Sequence, residues 1–318
     1  MHFESTPAPP ITPMLRTVFT LLLVLSNLTT VAADNLQPRL TVVASHYPLA
    51  YFAGRIAADH ADVHLPMPGG IDPANWRPGS SGIRMLQRAD LLLLNGAGYE
   101  TWLAQTSLSR ARQVDTSSGF SDRLIRIEQA ITHSHGGSGQ HTHTGTAHTT
   151  WLDFSQARQQ AHAVAAALGR KRPELKSRFE EHLQALDSDL ARLDQNLEAL
   201  SLQYQTLPLM ASHPVYQYLA RRYRLDLVSV HWEPDEMPPG SEWDALARTL
   251  KQHPARLMIW ESQPRPEITR RLTQLGVASV VFDPCANRPD QGDFLSVMQR
   301  NLQNLKQARE SISAVLQK

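Results

Sequence analysis

The stretch LKSRFEEHLQALDSDLARLDQNLEAL, residues 175–200, places apolar side chains at steps of three and four residues. This spacing puts them on one face of an α-helix about 40 Å long. A coiled-coil seam is one interpretation, but a single stripe between two α/β halves favours a rigid linking helix at 174–203 that packs across both. The stripe consists of Leu175, Phe179, Leu183, Leu186, Leu190, Leu193, Leu197 and Leu200.

On either side of this helix, short apolar runs alternate with helical patterns, which is typical of βα units. The predicted fold class is therefore α/β, with two lobes, each a mainly parallel sheet flanked by helices, and a cleft between them. We expect an N-terminal lobe at 34–173 and a C-terminal lobe at 204–318. Parallel sheets bind ligands beyond the carboxyl ends of their strands, so we expect the chemistry in the cleft. The predicted strands are 40–45, 63–65, 90–95, 113–115, 208–212, 225–230, 256–260 and 277–283, and the predicted helices are 49–59, 80–88, 99–106, 216–222, 242–252 and 267–275.

Composition excludes several classes of protein. The 318 residues are 42% hydrophobic and 19% charged, with a formal net charge of +1, which is typical of a compact soluble protein. No basic stripe is present, so nucleic-acid binding is not expected. The single cysteine, Cys285, excludes an intramolecular disulfide framework and a cysteine-rich zinc finger. We expect a monomer.

The amino terminus has the pattern of a signal peptide at 1–33. Arg16 precedes a short apolar run at 18–25, and small residues at 31–33 predict cleavage after Ala33. The run is shorter than the roughly 20 apolar residues that a membrane-spanning helix needs. No cysteine follows it for lipid attachment, so we expect a protein without a lipid anchor in the periplasm.

A histidine-rich loop at 131–150 is the strongest local signal. Five of the 14 histidines lie in it: His133, His135, His141, His143 and His148. Alternate residues of an extended chain point the same way, and the Gly-rich linker at 136–140 allows one His-x-His arm to fold against the other. Four imidazoles would then converge on one late divalent metal ion. The alternative is a mobile low-complexity tract that scavenges metal weakly.

Several motifs together resemble the zinc, manganese and iron receptors of ABC importers, the solute-receptor family that includes proteins once called adhesins. They cover nearly the whole chain after the signal peptide: VVASHYPLAYFAGRIAADHADV from 42, PGGIDPANWRPGSSGIRMLQRADLLLLNGAGYETWL from 68, TTWLD from 149, SHPVYQYLARRY from 212 and VVFDP from 280. The resemblance implies two α/β lobes joined by a long rigid helix. It also implies a divalent metal ion in the interlobe cleft, delivered as cargo to an ABC permease in the inner membrane.

The resemblance also shows where this chain departs from the family. Ala74 stands where the family has a histidine, and Thr149 stands where it has a second, with His148 displaced by one residue. The third and fourth family positions are retained as His213 and Asp283. Two ligands make a weak site, so we expect the His-x-His arms to supply the primary ligands, with His148 as a further candidate. Receptors with TTWLD and two His-x-His pairs are linked to Fe²⁺ as well as Zn²⁺, and Mn²⁺ fits less well.

Other residues and functions are weighed beside this one. His46 follows a predicted strand, where a cleft-facing residue would lie, and a capping role or a hydrogen-bonding role is equally open. His231, Glu233 and Glu261 also follow predicted strands, and there hydrogen bonding to a ligand imidazole is favoured over metal ligation. The sequence contains no His-Glu-x-x-His, Gly-x-Ser-x-Gly or phosphate-loop motif, so an enzyme is not expected. A periplasmic metal chaperone or buffer, or a receptor for a metal chelate such as a siderophore, is the alternative.

Overall fold

Short parallel strands form two separate four-stranded sheets in a computed structural model of the chain. It describes residues 38–135 and 139–316, with the side chains of 128–144 and 315–316 left out of the description, so the predicted signal peptide lies outside the described residues. The first sheet has the order β2-β1-β3-β4. Its strands are β1 (Leu40–Ala44), β2 (Ala61–His64), β3 (Leu91–Leu94) and β4 (Gln113–Asp115).

The histidine-rich segment forms an antiparallel hairpin of β5 (Arg126–His135) and β6 (Gly139–Thr146). The sequence predicted a loop here, and the last two residues of its predicted flexible linker belong to β6 instead. The physical reason is that an extended arm has backbone N–H and C=O groups that need partners, and antiparallel pairing supplies them.

The hairpin register bears directly on the histidines. His133 is paired with His141, while His135 and His143 each stand two residues further along their strands. Because alternate positions of a strand lie on the same side of the ladder, all four histidine positions share one side. The backbone register therefore agrees with the predicted facing of the two His-x-His pairs.

The second parallel sheet has the order β10-β9-β7-β8. Its strands lie within the predicted ranges, and they are short because their ends continue into loops that line the cleft. They are β7 (Leu209–Ala211), β8 (Leu227–Ser229), β9 (Leu257–Trp260) and β10 (Ala278–Val281). The central strands β3 and β9 are buried along their whole length, which explains why both are continuous apolar runs.

Helices cover both sheets, and the predicted α/β fold is confirmed. They are α1 (Tyr47–Ala57), α2 (Ser80–Arg88), α3 (Phe154–Lys171), α4 (Lys176–Ser201), α5 (Gln217–Tyr223), α6 (Gly240–Gln252), α7 (Pro266–Gln274) and α8 (Phe294–Leu316). The sequence analysis did not predict α3 and α8. Asp153, which accepts hydrogen bonds from the backbone N–H groups of Ser155 and Gln156, is an N-cap signal that would have located α3. The predicted helix at 99–106 is a 3-10 helix at Thr101–Gln105, since so short a segment seldom propagates as an α-helix.

The long helix α4 lies within the predicted range 174–203 and contacts helices of both halves, namely α1, α3, α5 and α8. Its apolar stripe is buried: Leu186 and Leu190 are fully inaccessible. One core cluster joins this stripe to strands of both sheets, including Val42 of β1 and Leu257 of β9. The exact lobe boundaries at 34–173 and 204–318 stay predictions.

Aspartates of α4 form ion pairs with arginines of neighbouring helices. Arg158 of α3 makes two hydrogen bonds to Asp187, of 2.8 and 2.7 Å, and holds the pKa of that carboxyl below its usual value. Arg222, from the end of α5, contacts Asp194 at 2.6 Å. Paired N–H groups on one carboxylate add directional constraint to the apolar contact, so α4 is held against both halves.

No helix among the described residues combines the length and the apolar character needed to cross a membrane.

The stripe on α4 provides a test of its role in stability. Leu190→Ala is expected to lower the free energy of unfolding by about 2–5 kcal/mol, because it removes buried methyl groups and leaves a cavity. Leu202→Ala, at a side chain that is 64% exposed, is the matched control and should change it by about 0.5 kcal/mol or less. Urea unfolding followed by circular dichroism measures both; equal losses for the two variants would contradict a structural role of the stripe.

Candidate metal centre

Side chains from both sheets meet where the parallel strands end. His46 follows β1 and Asn95 follows β3, while His213, Glu261 and Asp283 follow β7, β9 and β10. In the second sheet the connections change direction between β7 and β9, which is where ligands bind in open parallel sheets. A cavity of about 210 Å³ lies at these strand ends; it is lined by Gly70, Ile71, Asp72, Pro73, Tyr99, His148, Thr149, Trp151, Val215, Glu261, Asp283, Pro284, Ala286 and Asn287.

His213 is held between two carboxylates. Its Nε2 lies 3.5 Å from Glu233 Oε1, and its Nδ1 lies 3.6 Å from Glu261 Oε1 and 3.2 Å from the carbonyl oxygen of Trp232. The His231 ring stands 6.0 Å away, nearly perpendicular to it. Carboxylates and carbonyls commonly orient an imidazole that binds metal through its other nitrogen. The residues proposed from sequence as partners of a ligand histidine therefore surround His213.

Carboxylates crowd the cavity on the side of the second sheet. Burial, followed by the negative charges of Asp72, Glu233 and Asp283, raises the pKa of Glu261 to about 8. Burial also raises the pKa of Asp283, against the effect of a 2.7 Å hydrogen bond that its Oδ1 accepts from the Cys285 N–H. Charged carboxylates in a partly dry site repel one another, so the cavity favours either a proton or a cation.

Asp283 is fixed by the last helix of the chain. The Asn301 amide on α8 donates to the Asp283 carbonyl at 2.7 Å, and its Oδ1 accepts from the Asp283 N–H at 3.0 Å. These two bonds hold the backbone on both sides of the carboxylate, so its position is set by tertiary packing. The sequence analysis did not identify Asn301, because nothing in a helix pattern marks a residue that binds a distant loop.

The first half contributes His148 to the cavity wall. Its ring lies 5.1 Å from the Tyr99 ring, and its carbonyl accepts a 2.8 Å hydrogen bond from the Asn95 amide. The adjacent Thr149, in the position of the family histidine, is buried and donates its hydroxyl to the Val215 carbonyl. His148, one residue before the position that the resemblance indicates, therefore lies at the cavity. Thr149 instead forms a hydrogen bond between the first half and the second.

His46 lies beneath the cavity wall and is not among the lining residues. It is fully buried, its Nε2 is 3.2 Å from Asn95 Oδ1, and its ring packs 4.4 Å from that of Trp151. Burial lowers its pKa to about 3, so the ring is neutral at physiological pH. It occupies the N-cap position of α1 without a side-chain capping bond, so of the two roles weighed from sequence, hydrogen bonding is confirmed and capping is wrong.

Further hydrogen bonds connect the two halves around the cavity. The Trp151 indole donates to the Pro284 carbonyl at 2.8 Å, and the Asn287 amide donates to the carbonyls of Pro68 and Ile71, each at 2.7 Å. Cys285 lies in this region but is buried, and burial raises the pKa of its thiol, which keeps it protonated. A neutral buried thiol is a poor metal ligand.

The candidate ligands fall into two groups. His148 and Asp283 line the cavity, and His213 contacts its Glu261 wall. The side chains of the four hairpin histidines, His133, His135, His141 and His143, lie outside the described residues, so their convergence stays a prediction. Among the side chains that the structure describes, no three His, Cys, Asp or Glu groups converge closely enough to hold a metal ion by themselves. Among the lining residues with polar side chains, the sequence analysis did not identify Asp72, Tyr99 or Asn287.

Glu261 provides a test of the crowded carboxylates. The pKa of Glu261 is near 4.5 in the unfolded chain and about 8 in the folded protein, so unfolding at a pH between these values releases a proton. Stability of the metal-free protein should therefore fall, through this residue, as the pH rises from about 4.5 to about 8. In Glu261→Gln the thermal midpoint should fall less over that range, whereas Glu236→Gln, at an exposed carboxylate, should follow the parent protein. Parallel profiles for the parent and Glu261→Gln would contradict the raised pKa.

Known proteins share this architecture. The family model described as "ZnuA: Zinc-uptake complex component A periplasmic" matches residues 42–308. The high-affinity zinc uptake system protein ZnuA of Bacillus subtilis is 25% identical over 286 residues, covering 86% of this chain and 89% of the relative. The zinc-binding lipoprotein AdcA of Streptococcus pneumoniae is 25% identical over 284 residues, and the match spans 86% of this chain but only 56% of AdcA.

The fold is also found in solved structures. The metal-dependent lipoprotein YcdH of Bacillus subtilis superposes with a TM-score of 0.72 at 22% identity, covering 85% of this chain and 98% of YcdH. At this identity the structural similarity shows a shared fold. Membership of the family is shown by the family model that matches residues 42–308. The chain belongs to the zinc-uptake complex component A family, whose model matches most of its length.

Proposed function

We propose that this protein is a periplasmic receptor that binds Zn²⁺ in the cleft and delivers it to an ABC permease in the inner membrane. The observation that carries the proposal is the cavity at the strand ends, which Asp72, His148, Glu261 and Asp283 line, with His213 in contact with Glu261. A divalent cation relieves the repulsion among these carboxylates, and the imidazoles provide the nitrogen ligands that zinc prefers.

The proposed ligand set combines both groups of candidates. His213 and Asp283 lie in the second half and His148 in the first. The hairpin histidines His133, His135, His141 and His143 either fold over them or form a site of their own at the mouth of the cavity, since one zinc ion takes about four of these donors. Supporting this is the backbone register, with His133 opposite His141. The described donors are insufficient by themselves, which is consistent with a site completed by the hairpin.

Zinc is favoured over the other metals considered. The relatives from Bacillus subtilis and Streptococcus pneumoniae are both named for zinc. At a site rich in imidazole the Irving–Williams order also favours Zn²⁺ over Fe²⁺ and Mn²⁺. Fe²⁺ would therefore bind in preference to Zn²⁺ only if it were more available or if the geometry of the site favoured it. Mn²⁺ is the weakest of the three candidates.

The proposed mechanism is capture by closure. Metal binding draws ligands from both halves together and orders the hairpin, while the bridges from Trp151 and Asn287 hold the halves in the closed form. Ligand groups release their protons as the ion enters. The permease then selects the closed, loaded receptor over the open one.

A receptor for a metal chelate is less well supported. The cavity of about 210 Å³ is smaller than the roughly 300–1,000 Å³ of pockets for larger organic ligands. Aromatic side chains could bind a chelate in an open cleft, but Trp76 and Trp232 are buried away from the cavity lining, and Trp151 lines the cavity with a fully buried side chain. A metal chaperone or buffer has the same site, and only docking to a membrane permease separates it from a receptor.

The periplasmic location is taken from the family description and from the predicted signal peptide. The expected absence of a lipid anchor rests on the sequence alone, and the pneumococcal relative is named a lipoprotein. A monomeric state is likewise a proposal.

Replacement of ligands tests the proposed site. In the full chain, His213→Ala removes a proposed metal ligand. Loss of a residue that only orients a ligand weakens metal binding by roughly 10- to 100-fold, and we expect a larger loss of zinc affinity in this variant. A variant with His133, His135, His141 and His143 changed to Ala should no longer bind one equivalent of zinc tightly. Calorimetry with a competing chelator measures both, with His162→Ala, exposed on α3, as the control. Unchanged binding in the fourfold variant would make the hairpin auxiliary.

Proton competition is a second test. Zinc affinity should fall steeply below about pH 6, because an imidazole with an unperturbed pKa near 6.5 must lose its proton to bind metal. Competition titrations at a series of pH values measure this. An affinity that stays constant from about pH 7.5 to pH 5 would argue against imidazole ligation.

A further inference from the structure

Ala74 stands where the family has a histidine, which leaves the first half short of a metal ligand. The loop that carries Ala74 nevertheless lies at the cavity, because Gly70, Ile71, Asp72 and Pro73 all line it. Asp72 is the one residue of this loop with a side chain that binds metals. Its carboxylate, two residues before the missing histidine, therefore stands at the site that lacks a donor.

The position of Asp72 is fixed from the opposite side of the cleft. Asn287 donates its amide hydrogens to the carbonyls of Pro68 and Ile71, each at 2.7 Å. These bonds tie the loop to the second half immediately before Asp72. The carboxylate also accepts bonds from the Ala74 N–H at 3.0 Å and from the Asn75 amide at 3.4 Å. A carboxylate has two oxygens and about four acceptor sites, so capacity for a further ligand remains.

Tyr99 supplies the second, independent observation. It is 2% exposed, it lines the same cavity, and its hydroxyl has no hydrogen-bond partner among the described residues. A buried hydroxyl without a partner is unfavourable for folding. Such a group is retained where a ligand or a moving side chain completes its hydrogen bonding.

Local structure holds the Tyr99 ring in place. The Tyr99 N–H donates to the Gly96 carbonyl at 3.0 Å, and the Glu100 carboxylate accepts from the N–H groups of Asn95 and Gly96. Gly96 has φ +77°, and a Cβ there would lie 2.1 Å from an oxygen of Asp115, so this turn requires glycine. The ring also packs on His46 and Trp151.

Asp72 and Tyr99 already interact electrostatically. After burial, the negative charge of Asp72 is the largest influence that raises the pKa of Tyr99, and it also acts on Glu261 across the cavity. The two residues line the same cavity, although no hydrogen bond joins their side chains in this structure. Movement of the carboxylate toward the Tyr99 hydroxyl would bring an acceptor and a donor together.

We propose that Asp72 coordinates the metal ion in place of the histidine missing at Ala74, and that the Tyr99 hydroxyl donates a hydrogen bond to the Asp72 carboxylate in the loaded protein. The inference rests on the proposed function and adds a ligand and its positioning residue to that site. It makes the site richer in oxygen donors than one built on the family histidines. A hydrogen bond to a ligand carboxylate fixes its orientation, as outer-shell partners do at metal sites.

The test is a double-mutant cycle on the full chain, with Zn²⁺ affinity measured by chelator competition. Asp72→Asn keeps an oxygen that accepts from the Ala74 N–H, so the turn is preserved while the charged ligand is lost. Tyr99→Phe keeps the ring and removes the hydroxyl. We expect each to weaken binding by about 10- to 100-fold, and the double variant to be no weaker than Asp72→Asn alone, because the two residues act together.

Controls and the opposite results complete the design. Asp59→Asn removes an exposed carboxylate and Tyr204→Phe removes a hydroxyl bonded to Leu305 in the core; both should bind zinc like the parent chain. Tight binding by the parent with Asp72→Asn within about twofold of it would overturn the proposed ligand and leave the receptor function standing. Loss in Asp72→Asn with Tyr99→Phe unchanged, or losses that simply add, would overturn the pairing. If the parent chain binds no zinc, the receptor function falls, and this inference with it.

A histidine introduced at position 74 distinguishes metal ligation by Asp72 from a general effect of its negative charge. Ala74→His in the Asp72→Asn background should recover at least about tenfold of the lost affinity, because it returns a donor to the same loop. Asp72→Glu keeps the charge but moves the carboxylate by one methylene group. We expect it to bind zinc more weakly than the parent; full affinity in this variant would mean that the negative charge alone matters.

Discussion

Burial of one apolar stripe on the long helix α4 determines how the rest of the protein is arranged. The strands of both parallel sheets have only three to five residues, so each sheet offers limited apolar surface of its own. The core that includes the α4 stripe extends from Val42 in the first sheet to Leu257 in the second. Helices of both halves pack against this one helix, and residues of both halves line the cavity at the strand ends.

The chemistry of the cavity follows from what those strand ends carry. Three carboxylates, those of Asp72, Glu261 and Asp283, line a partly dry space, and burial with mutual repulsion raises the pKa of Glu261 to about 8. His213 stands beside this wall with its ring nitrogens near two carboxylates. In our proposal, this arrangement is unfavourable when the site holds only protein and becomes favourable when a cation enters, and this difference is the basis of capture.

The departures from the family pattern are compensated at several places, in our proposal. Thr149 stands, by the sequence resemblance, at a family histidine position and donates its hydroxyl to the Val215 carbonyl, while the neighbouring His148 lines the cavity. By the same resemblance Ala74 stands at another such position, and Asp72 of the same loop lines the cavity. The hairpin places His133 opposite His141 in its backbone register. A receptor site can thus retain its location while the side chains that serve it change, because the fold sets the location and loops supply the ligands.

The sequence by itself determined the fold class, the long helix and the family. Leucines at helical spacing and apolar runs of strand length are local signals, and the motifs at 42–63 and 68–103 carry a resemblance that needs no coordinates. It also predicted strands close to their observed ends, since a buried parallel strand is a continuous apolar run.

Only the tertiary structure decided which residues meet. Asn301 holds Asp283 from 18 residues away, and Asn287 holds a loop more than 200 residues earlier in the chain. The Tyr99 hydroxyl has no hydrogen-bond partner among the residues that the structure describes, a property that belongs to its surroundings rather than to its residue type. The physical reason is that hydrogen bonds, burial and pKa shifts depend on distances between residues remote in sequence, and periodicity contains no information about those distances.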